Sequence, residues 1–87
     1  MDIVTVNNLL EEIKDDRTVP RNIRILIEEA QKDLKDETHD IVTRIGAAIS
    51  ILDEVSNDTN NPTYTRTQIW NIVTSLEAMK EESRNVQ

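Results

Sequence analysis

Few side chains in this sequence have a spacing that could support metal binding. His39, the only histidine, follows Asp36 at the acid-x-x-His spacing of one half of a di-metal helical site. A complete site needs a second such pair and further inward carboxylates, which this chain does not supply. His39 also lies beside a predicted loop. We therefore predict no metal ligand, and we expect His39 to be solvated or to cap a helix.

Nucleophilic catalysis has no better basis in the sequence. The serines, at positions 50, 56, 75 and 83, have no base at a recognisable spacing. The one glycine, Gly46, lies inside a predicted helix, which excludes a glycine-rich phosphate loop and favours a close helix crossing. The sequence thus predicts no catalytic residue, no cofactor and no enzymatic activity. A metal-binding protein or enzyme that uses carboxylates is the alternative.

The charge balance limits the classes of partner. The formal net charge is −7, which repels a phosphate backbone on average. Arg17, Arg21 and Arg24 cluster, but acidic neighbours favour their local neutralisation over contact with phosphate. The apolar runs are too short to span a membrane, cysteine is absent, and the N-terminus does not resemble a signal peptide. We expect a cytoplasmic protein that binds neither membrane nor nucleic acid.

Apolar residues recur at helical spacing in four segments. The first predicted helix covers about residues 2–15, with Asp2 as its N-cap. The second begins near Thr18, with Pro20 in its first turn. The third begins at residue 38 or 40 and ends near residue 57, and its wide apolar stripe indicates the most buried helix.

The polar segment NDTNNP, residues 57–62, leads directly into the stretch that contains the only tryptophan. A calcium loop would need oxygen ligands at fixed spacing and a glycine at the bend, and no glycine follows Asp58 and Asn60. We therefore interpret the segment as a connecting loop. Asn61 is the predicted N-cap of the fourth helix and Pro62 its first residue.

The sequence contains an internal repeat. A shift of 42 positions aligns LLEEIKDDRTVPRNIR with ILDEVSNDTNNPTYTR without a gap, and it matches Pro20 with Pro62 and Arg24 with Arg66. Amphipathic helices alone would match apolar positions, but not prolines and arginines as well. We predict one all-α domain, residues 1–87, with repeats at about 3–37 and 40–84. The predicted domain is a four-helix bundle of two tandem antiparallel helical hairpins related by a pseudo-twofold axis.

Each repeat carries acids at the end of its first helix and an arginine one turn into its second. An antiparallel hairpin brings these positions together, so we predict that each arginine forms a structural ion pair with an acid of its own repeat. The residues concerned are Glu12, Asp16 and Arg24 in the first repeat, and Glu54, Asp58 and Arg66 in the second.

Three large apolar residues lie off the predicted core stripes. Trp70 projects about 125° from the centre of the inward face of its helix. Ile25 in the second helix and Val4 in the first are also displaced from their stripes. Such positions are candidates for an interface. The alternative is that a neighbouring helix or the Asp58 loop folds over the Trp70 ring.

The motifs VPRNIR, AISILDEVSND and TRTQIWNIV resemble a family of small acidic archaeal proteins that carries only a placeholder name, an uncharacterised protein family. This resemblance implies an all-helical fold and an archaeal cytosolic setting, and it implies no activity, ligand or catalytic residue. Each hairpin also resembles, more loosely, a HEAT-type repeat. From these features we predict a small cytoplasmic protein-interaction module. Its protein partner is unidentified, and a homo-oligomer is one possible arrangement.

Overall fold

The computed structural model describes residues 2–85, and over that range it contains four α-helices and no strand. The helices are α1 (Ile3–Lys14), α2 (Arg21–Lys35), α3 (Ile41–Ser56) and α4 (Thr63–Asn85). The fold class is therefore the predicted one, an all-α bundle. Met1, Val86 and Gln87, which the predicted domain includes, lie outside the described residues.

The core is formed by the apolar stripes that the sequence predicts. α3 packs closely against both α2 and α4, whereas α1 packs on α2 and contacts α4 only slightly. The largest fully buried apolar side chains come from every helix, and Val19 joins them from the loop before α2: Val6, Leu10, Val19, Ile23, Ile27, Leu34, Ile45, Leu52, Val55, Ile69 and Leu76. Burial of this apolar surface is the main force that holds the helices together.

Two helix starts are capped by aspartates, and Asp2 is the N-cap that the sequence predicts. The Asp2 carboxylate accepts a hydrogen bond from the Thr5 N–H at 2.8 Å, and the Asp40 carboxylate accepts one from the Thr43 N–H at 2.8 Å. These bonds satisfy N–H groups that have no partner within the helix. They also hold the pKa of both carboxyl groups below the ordinary value for aspartate.

The other two helix starts differ from the prediction. α2 begins at Arg21, so Pro20 is its N-cap residue and makes no side-chain capping bond. α4 begins at Thr63, directly after Pro62. Asn61 is buried, and its side-chain amide donates to the Val55 carbonyl at 2.8 Å. Asn61 therefore stabilises the end of α3 and is not the N-cap of α4.

One turn recurs at all three helix connections. Each begins with an aspartate whose Oδ1 accepts the N–H of the second residue after it, at 2.8–3.0 Å, and whose main-chain carbonyl accepts the N–H of the third. The turns belong to the nine-residue segments DRTVPRNIR (16–24), DETHDIVTR (36–44) and DTNNPTYTR (58–66). The shift of 42 positions relates only the first and third of these segments. The middle one shows that every connection uses the same local design.

The last residue of each nine-residue segment is an arginine. Arg44 donates from Nε at 3.1 Å, and also from Nη2, to the Leu34 carbonyl near the end of α2. Arg66 donates from Nε at 3.1 Å to the Ser56 carbonyl at the end of α3. Arg44 and Arg66 thus each supply a donor and a positive charge to the C-terminal end of the preceding helix, where carbonyl groups lack partners within the helix. Pro20 and Pro62 directly precede α2 and α4, as the repeat requires, but superposition of the two hairpins remains a prediction.

Loss of the Arg44 side chain should weaken the α2–α3 connection. Arg44→Met leaves the Leu34 carbonyl without its charged donor, and we expect the free energy of unfolding to fall by about 1–3 kcal/mol. Urea denaturation measures this change. Arg84→Met is the matched control, because Arg84 is exposed and lies 4.0 Å from Glu81, a separation at which an ion pair contributes little. Equal effects of the two substitutions would contradict the role of Arg44.

Gly46 has more space than the sequence suggested. A methyl group placed there would meet only the flexible end of Lys80, with Nζ at 3.6 Å and Cε at 4.0 Å, which are ordinary van der Waals distances. Close helix crossing therefore does not require glycine at this position. We expect Gly46→Ala to raise the free energy of unfolding by roughly 0.5–1 kcal/mol, because alanine has the higher helix propensity. A lower thermal midpoint for this variant would contradict the conclusion that a methyl group fits at this position.

Acid should destabilise the protein through the turn aspartates. Hydrogen bonds from the Thr18 hydroxyl and N–H lower the pKa of Asp16, and bonds from Thr38 and then His39 lower that of Asp36. A carboxyl group whose pKa is lower in the folded state stabilises the protein above its unfolded pKa, near 3.9, and this contribution is lost as pH falls through the folded value. In Asp16→Asn/Asp36→Asn, the free energy of unfolding should fall less steeply between about pH 5 and pH 2. An unchanged slope in denaturant titrations would rule out this contribution.

Candidate interaction surfaces

Trp70 lies off the core, as its helical spacing predicts, and 70% of its surface is exposed. The described part of the chain therefore does not cover the ring, so the alternative of an intramolecular cover is not realised. Trp70 borders a depression of about 210 Å³ between the end of α3 and the start of α4. The other residues of this Trp70 surface are Ser56, Asn57, Thr63, Arg66 and Thr67.

The polar groups beside Trp70 are held in place by the main chain. Arg66 is tied to the Ser56 carbonyl, and the Thr67 hydroxyl donates to the Thr63 carbonyl at 3.1 Å. Both bonds join exposed side chains to main-chain carbonyl groups. The Trp70 surface therefore combines an exposed indole, a residue type that is enriched at protein interfaces, with a polar border.

The three predicted interface residues do not form one patch. Val4 is 69% exposed and Ile25 is 50% exposed, and each borders a depression separate from that of Trp70. The Ile25 depression, of about 430 Å³, is lined mostly by charged residues of α1 and α2. Sequence reasoning did not select Tyr64, which is 71% exposed on α4. The signal for it was present, because Tyr64 also lies off the inward face of its helix.

Val4 borders a depression of about 610 Å³, which we call the Asn7 groove. Its α1 wall consists of Ile3, Val4, Asn7, Asn8 and Glu11. Its opposite wall consists of Gln31, Leu34 and Lys35 from α2, with Glu37 and Arg44 beyond them. Asn7 and Gln31 are 8% and 6% exposed, and buried amides are unusual among the apolar side chains of such a bundle. The groove therefore has a polar floor.

Hydrogen bonds connect the two walls of the Asn7 groove. The Gln31 side-chain amide donates to the main-chain carbonyl of Asn7 at 3.3 Å and to the Glu11 carboxylate at 3.0 Å. Lys14 also pairs with Glu11, at 3.1 Å. The bond from Gln31, followed by the one from Lys14, holds the pKa of Glu11 below its ordinary value. Glu11 is thus ionised and already paired at neutral pH.

The predicted ion pairs of Arg24 and Arg66 differ from the observed contacts. In residues 2–85, the salt bridges join Lys14 to Glu11, His39 to Asp36 and Arg84 to Glu81. None of them includes the two arginines or the acids assigned to them, Glu12, Asp16, Glu54 and Asp58. Arg66 binds the Ser56 carbonyl, while Asp16 and Asp58 accept main-chain N–H groups of their own turns. For Arg66, Asp16 and Asp58, main-chain groups therefore take the place of the expected charged partners.

Arg24 differs from its two counterparts. Its Nε atom is buried and has no hydrogen-bond partner in the described part of the chain. It borders the Ile25 depression together with Arg21, Lys14, Asp15 and Glu28. By the pattern of Arg44 and Arg66, each of which donates to the carbonyl ten residues before it, the corresponding acceptor for Arg24 would be the Lys14 carbonyl.

His39 lies at the surface, as expected. Its Nδ1 is 2.9 Å from Asp36 Oδ2, and Asp36 Oδ1 accepts from the Thr38 N–H at 3.0 Å. Asp36 therefore serves the turn before α3. Over the described range, no group of three or more histidine, aspartate or glutamate side chains is arranged to hold a metal ion. None of the described helices is both long and apolar enough to cross a membrane.

Comparison with known proteins identifies relatives of this chain. The model of UPF0147, an uncharacterised protein family, matches residues 1–79. The UPF0147 protein of Methanocaldococcus jannaschii is 51% identical over 72 residues, which span 83% of this chain and 77% of that protein. That of Sulfurisphaera tokodaii is 44% identical over 73 residues, 84% of this chain and 82% of that protein.

A solved structure also shares the fold. The crystal structure of a UPF0147 protein from Thermoplasma acidophilum has a TM-score of 0.81 and 36% identity, and the match covers 85% of this chain and 87% of that one. The predicted resemblance to an uncharacterised archaeal family is therefore confirmed. The chain belongs to the UPF0147 family of uncharacterised proteins.

Proposed function

We propose that this protein is a small, non-enzymatic interaction module of the cytoplasm, and that the Trp70 surface is its main contact site. The supporting observation is the 70% exposure of Trp70, which is the largest of the exposed apolar side chains among the described residues. An exposed indole contributes nothing to the packing of its own bundle. A partner that covers the ring removes a large apolar surface from water, and this burial favours binding.

The size of this gain is that of an interface anchor. A tryptophan side chain buries about 150–250 Å² at a contact. At about 25 cal/mol per Å² of apolar area, such burial contributes several kcal/mol before the costs of association are subtracted. Tryptophan is also enriched among the residues that dominate binding energies at protein interfaces. The Trp70 ring is therefore an adequate anchor for one partner.

The charge of the chain favours a basic protein as that partner. At a net charge of −7, two copies of this chain repel each other, whereas a basic protein is attracted and its encounter is accelerated. We therefore propose a different protein, one with an apolar pocket for the indole and basic residues around it. A homodimer through Trp70 is the competing arrangement, and the experiment below distinguishes the two.

Trp70 is itself the reporter for this test, because it is the only tryptophan in the chain. The protein is purified from its native host with its bound proteins, and the main partner is identified and purified. Titration of this partner into the free protein should shift Trp70 emission to shorter wavelength and reduce its quenching by acrylamide, because the ring leaves water. Trp70→Ala should weaken binding by at least about a hundredfold, the size expected for an interface anchor.

Tyr64→Ala is the matched control, because Tyr64 is an equally exposed aromatic residue on the same helix and lies outside the Trp70 surface. It should leave the affinity unchanged. Light scattering of the free protein should give the mass of one chain, and a dimer that Trp70→Glu converts to a monomer would establish the competing arrangement. Equal binding by wild type and Trp70→Ala would overturn the proposed role of this surface.

A further inference from the structure

α1 is the least anchored helix of the bundle. It contributes three buried apolar side chains, Val6, Leu10 and Ile13, whereas each of the other helices contributes four. Within the described residues, α1 packs on α2, contacts α4 only slightly and does not approach α3, whereas α3 packs extensively on both α2 and α4. The free energy that holds a helix in place grows with the apolar surface that it buries. α1 is therefore held less firmly than the other three helices.

Depressions follow both edges of α1. The Asn7 groove separates α1 from α2 along one edge. Along the other edge, a depression of about 180 Å³ lies between α1 and α4 and is lined by Leu9, Ile13, Gln68, Asn71, Ile72 and Ser75. Atoms that line a depression lack close neighbours on one side and lose the dispersion attraction that such neighbours supply. Neither edge of α1 is therefore closely packed along its whole length.

The contact between α1 and α2 also buries a polar group that has no partner. Asn7 is 8% exposed, and its Oδ1 is closed off from solvent without a hydrogen-bond donor in the part of the chain that the structure describes. The same atom can accept a hydrogen bond from water when α1 is undocked, so its burial carries a desolvation penalty in the docked state alone. The burial of Asn7 therefore favours release of α1.

The connection between α1 and α2 lacks the arginine contact that the other two connections have. Arg44 and Arg66 each donate to the carbonyl ten residues earlier, which ties the start of α3 to the end of α2 and the start of α4 to the end of α3. At the corresponding position of α2, Arg24 Nε is buried without a partner in residues 2–85. The α1–α2 connection is therefore the least restrained of the three, and residues 15–20 are placed to act as a hinge.

We propose that α1 is a releasable cover. It moves away from α2 and α4 as a unit, about the hinge at residues 15–20, while α2, α3 and α4 stay folded. Release exposes apolar side chains that α1 covers, including Ile72 of α4, so α1 controls access to a second apolar surface of the protein. The depression between α1 and α4 shares no residue with the Trp70 surface. The proposal therefore does not depend on the function proposed for Trp70.

Native-state hydrogen exchange of the ¹⁵N-labelled full chain tests this proposal, because it measures the opening of each helix separately. Amide exchange is followed by NMR at increasing urea concentrations below the unfolding transition. We expect the slowest amides of α1 to exchange at least about a hundredfold faster than the slowest amides of α3. The α1 amides should share one urea dependence, weaker than that of α3, because release exposes less surface than complete unfolding.

Two results would overturn the proposal. Equal exchange rates in α1 and α3 would mean that α1 opens only when the whole chain unfolds. Exchange of α1 amides that does not respond to urea would mean fraying of individual residues and not release of the helix as a unit.

Two mild variants separate release of α1 from unfolding of the whole chain. Ala47→Gly weakens α3 at an exposed position, and it should make α3 exchange about fivefold faster through the low helix propensity of glycine. Exchange of α1 should not change, because the closed and open states both contain α3. Asn7→Leu stabilises the closed state and should slow α1 exchange by about tenfold, with Asn8→Leu at the exposed neighbouring position as the control for helix propensity. Acceleration of α1 and α3 by the same factor in Ala47→Gly would contradict a separate release of α1.

Discussion

The structure depends on how its helix ends are satisfied. Each helix leaves carbonyl groups at its end and N–H groups at its start without partners in the helix. In a chain of 87 residues with three helix connections, these groups are a large share of the main-chain N–H and C=O groups that folding buries. The aspartate at the start of each connection accepts N–H groups of its own turn, and Arg44 and Arg66 donate to carbonyl groups near the ends of α2 and α3. The helices can therefore approach each other without long loops.

The same constraint explains why the charges pair as they do. An exposed ion pair between arginine and carboxylate contributes little, whereas a charged donor at a helix end satisfies a carbonyl and also interacts favourably with the helix dipole. Arg44 and Arg66 make the second kind of contact. The Asp16 and Asp58 side chains are likewise engaged by N–H groups of their own turns. Arg66 and Asp58, which look in the sequence like partners for each other, thus each bind a nearby main-chain group.

Those features that follow from periodicity were predictable from the sequence. The four helices, the core stripes and the exposed position of Trp70 all follow from the spacing of apolar residues, and Asp2 and Asp40 are N-caps of the expected type. The role of Asn61 was not predictable, because its amide can serve the helix before it or the helix after it, and only the packed turn selects between them. The turn before α3 was not predicted, because Asp40 stands at the position that Pro20 and Pro62 occupy in the other two segments.

The Asn7 groove shows a second limit of sequence reasoning. Asn7 and Gln31 are ordinary surface residue types, and their helical spacing places them at the margin of the apolar stripes and not within them. Their burial depends on the angle at which α1 meets α2. That angle is a property of packing between helices and not of the periodicity within one. Buried polar residues of this kind become visible only when both helices are placed.

The recurrence of one turn also has a consequence for the order in which the chain folds. Each turn is specified within nine consecutive residues, and each helix packs mainly on its neighbours in sequence. A short hairpin can therefore close before the rest of the chain is in place, because the entropy lost on closing a short loop is small. Folds built from such local contacts reach the native state in microseconds to milliseconds. The late step is then the docking of α1 alongside α4, the least extensive of the helix contacts.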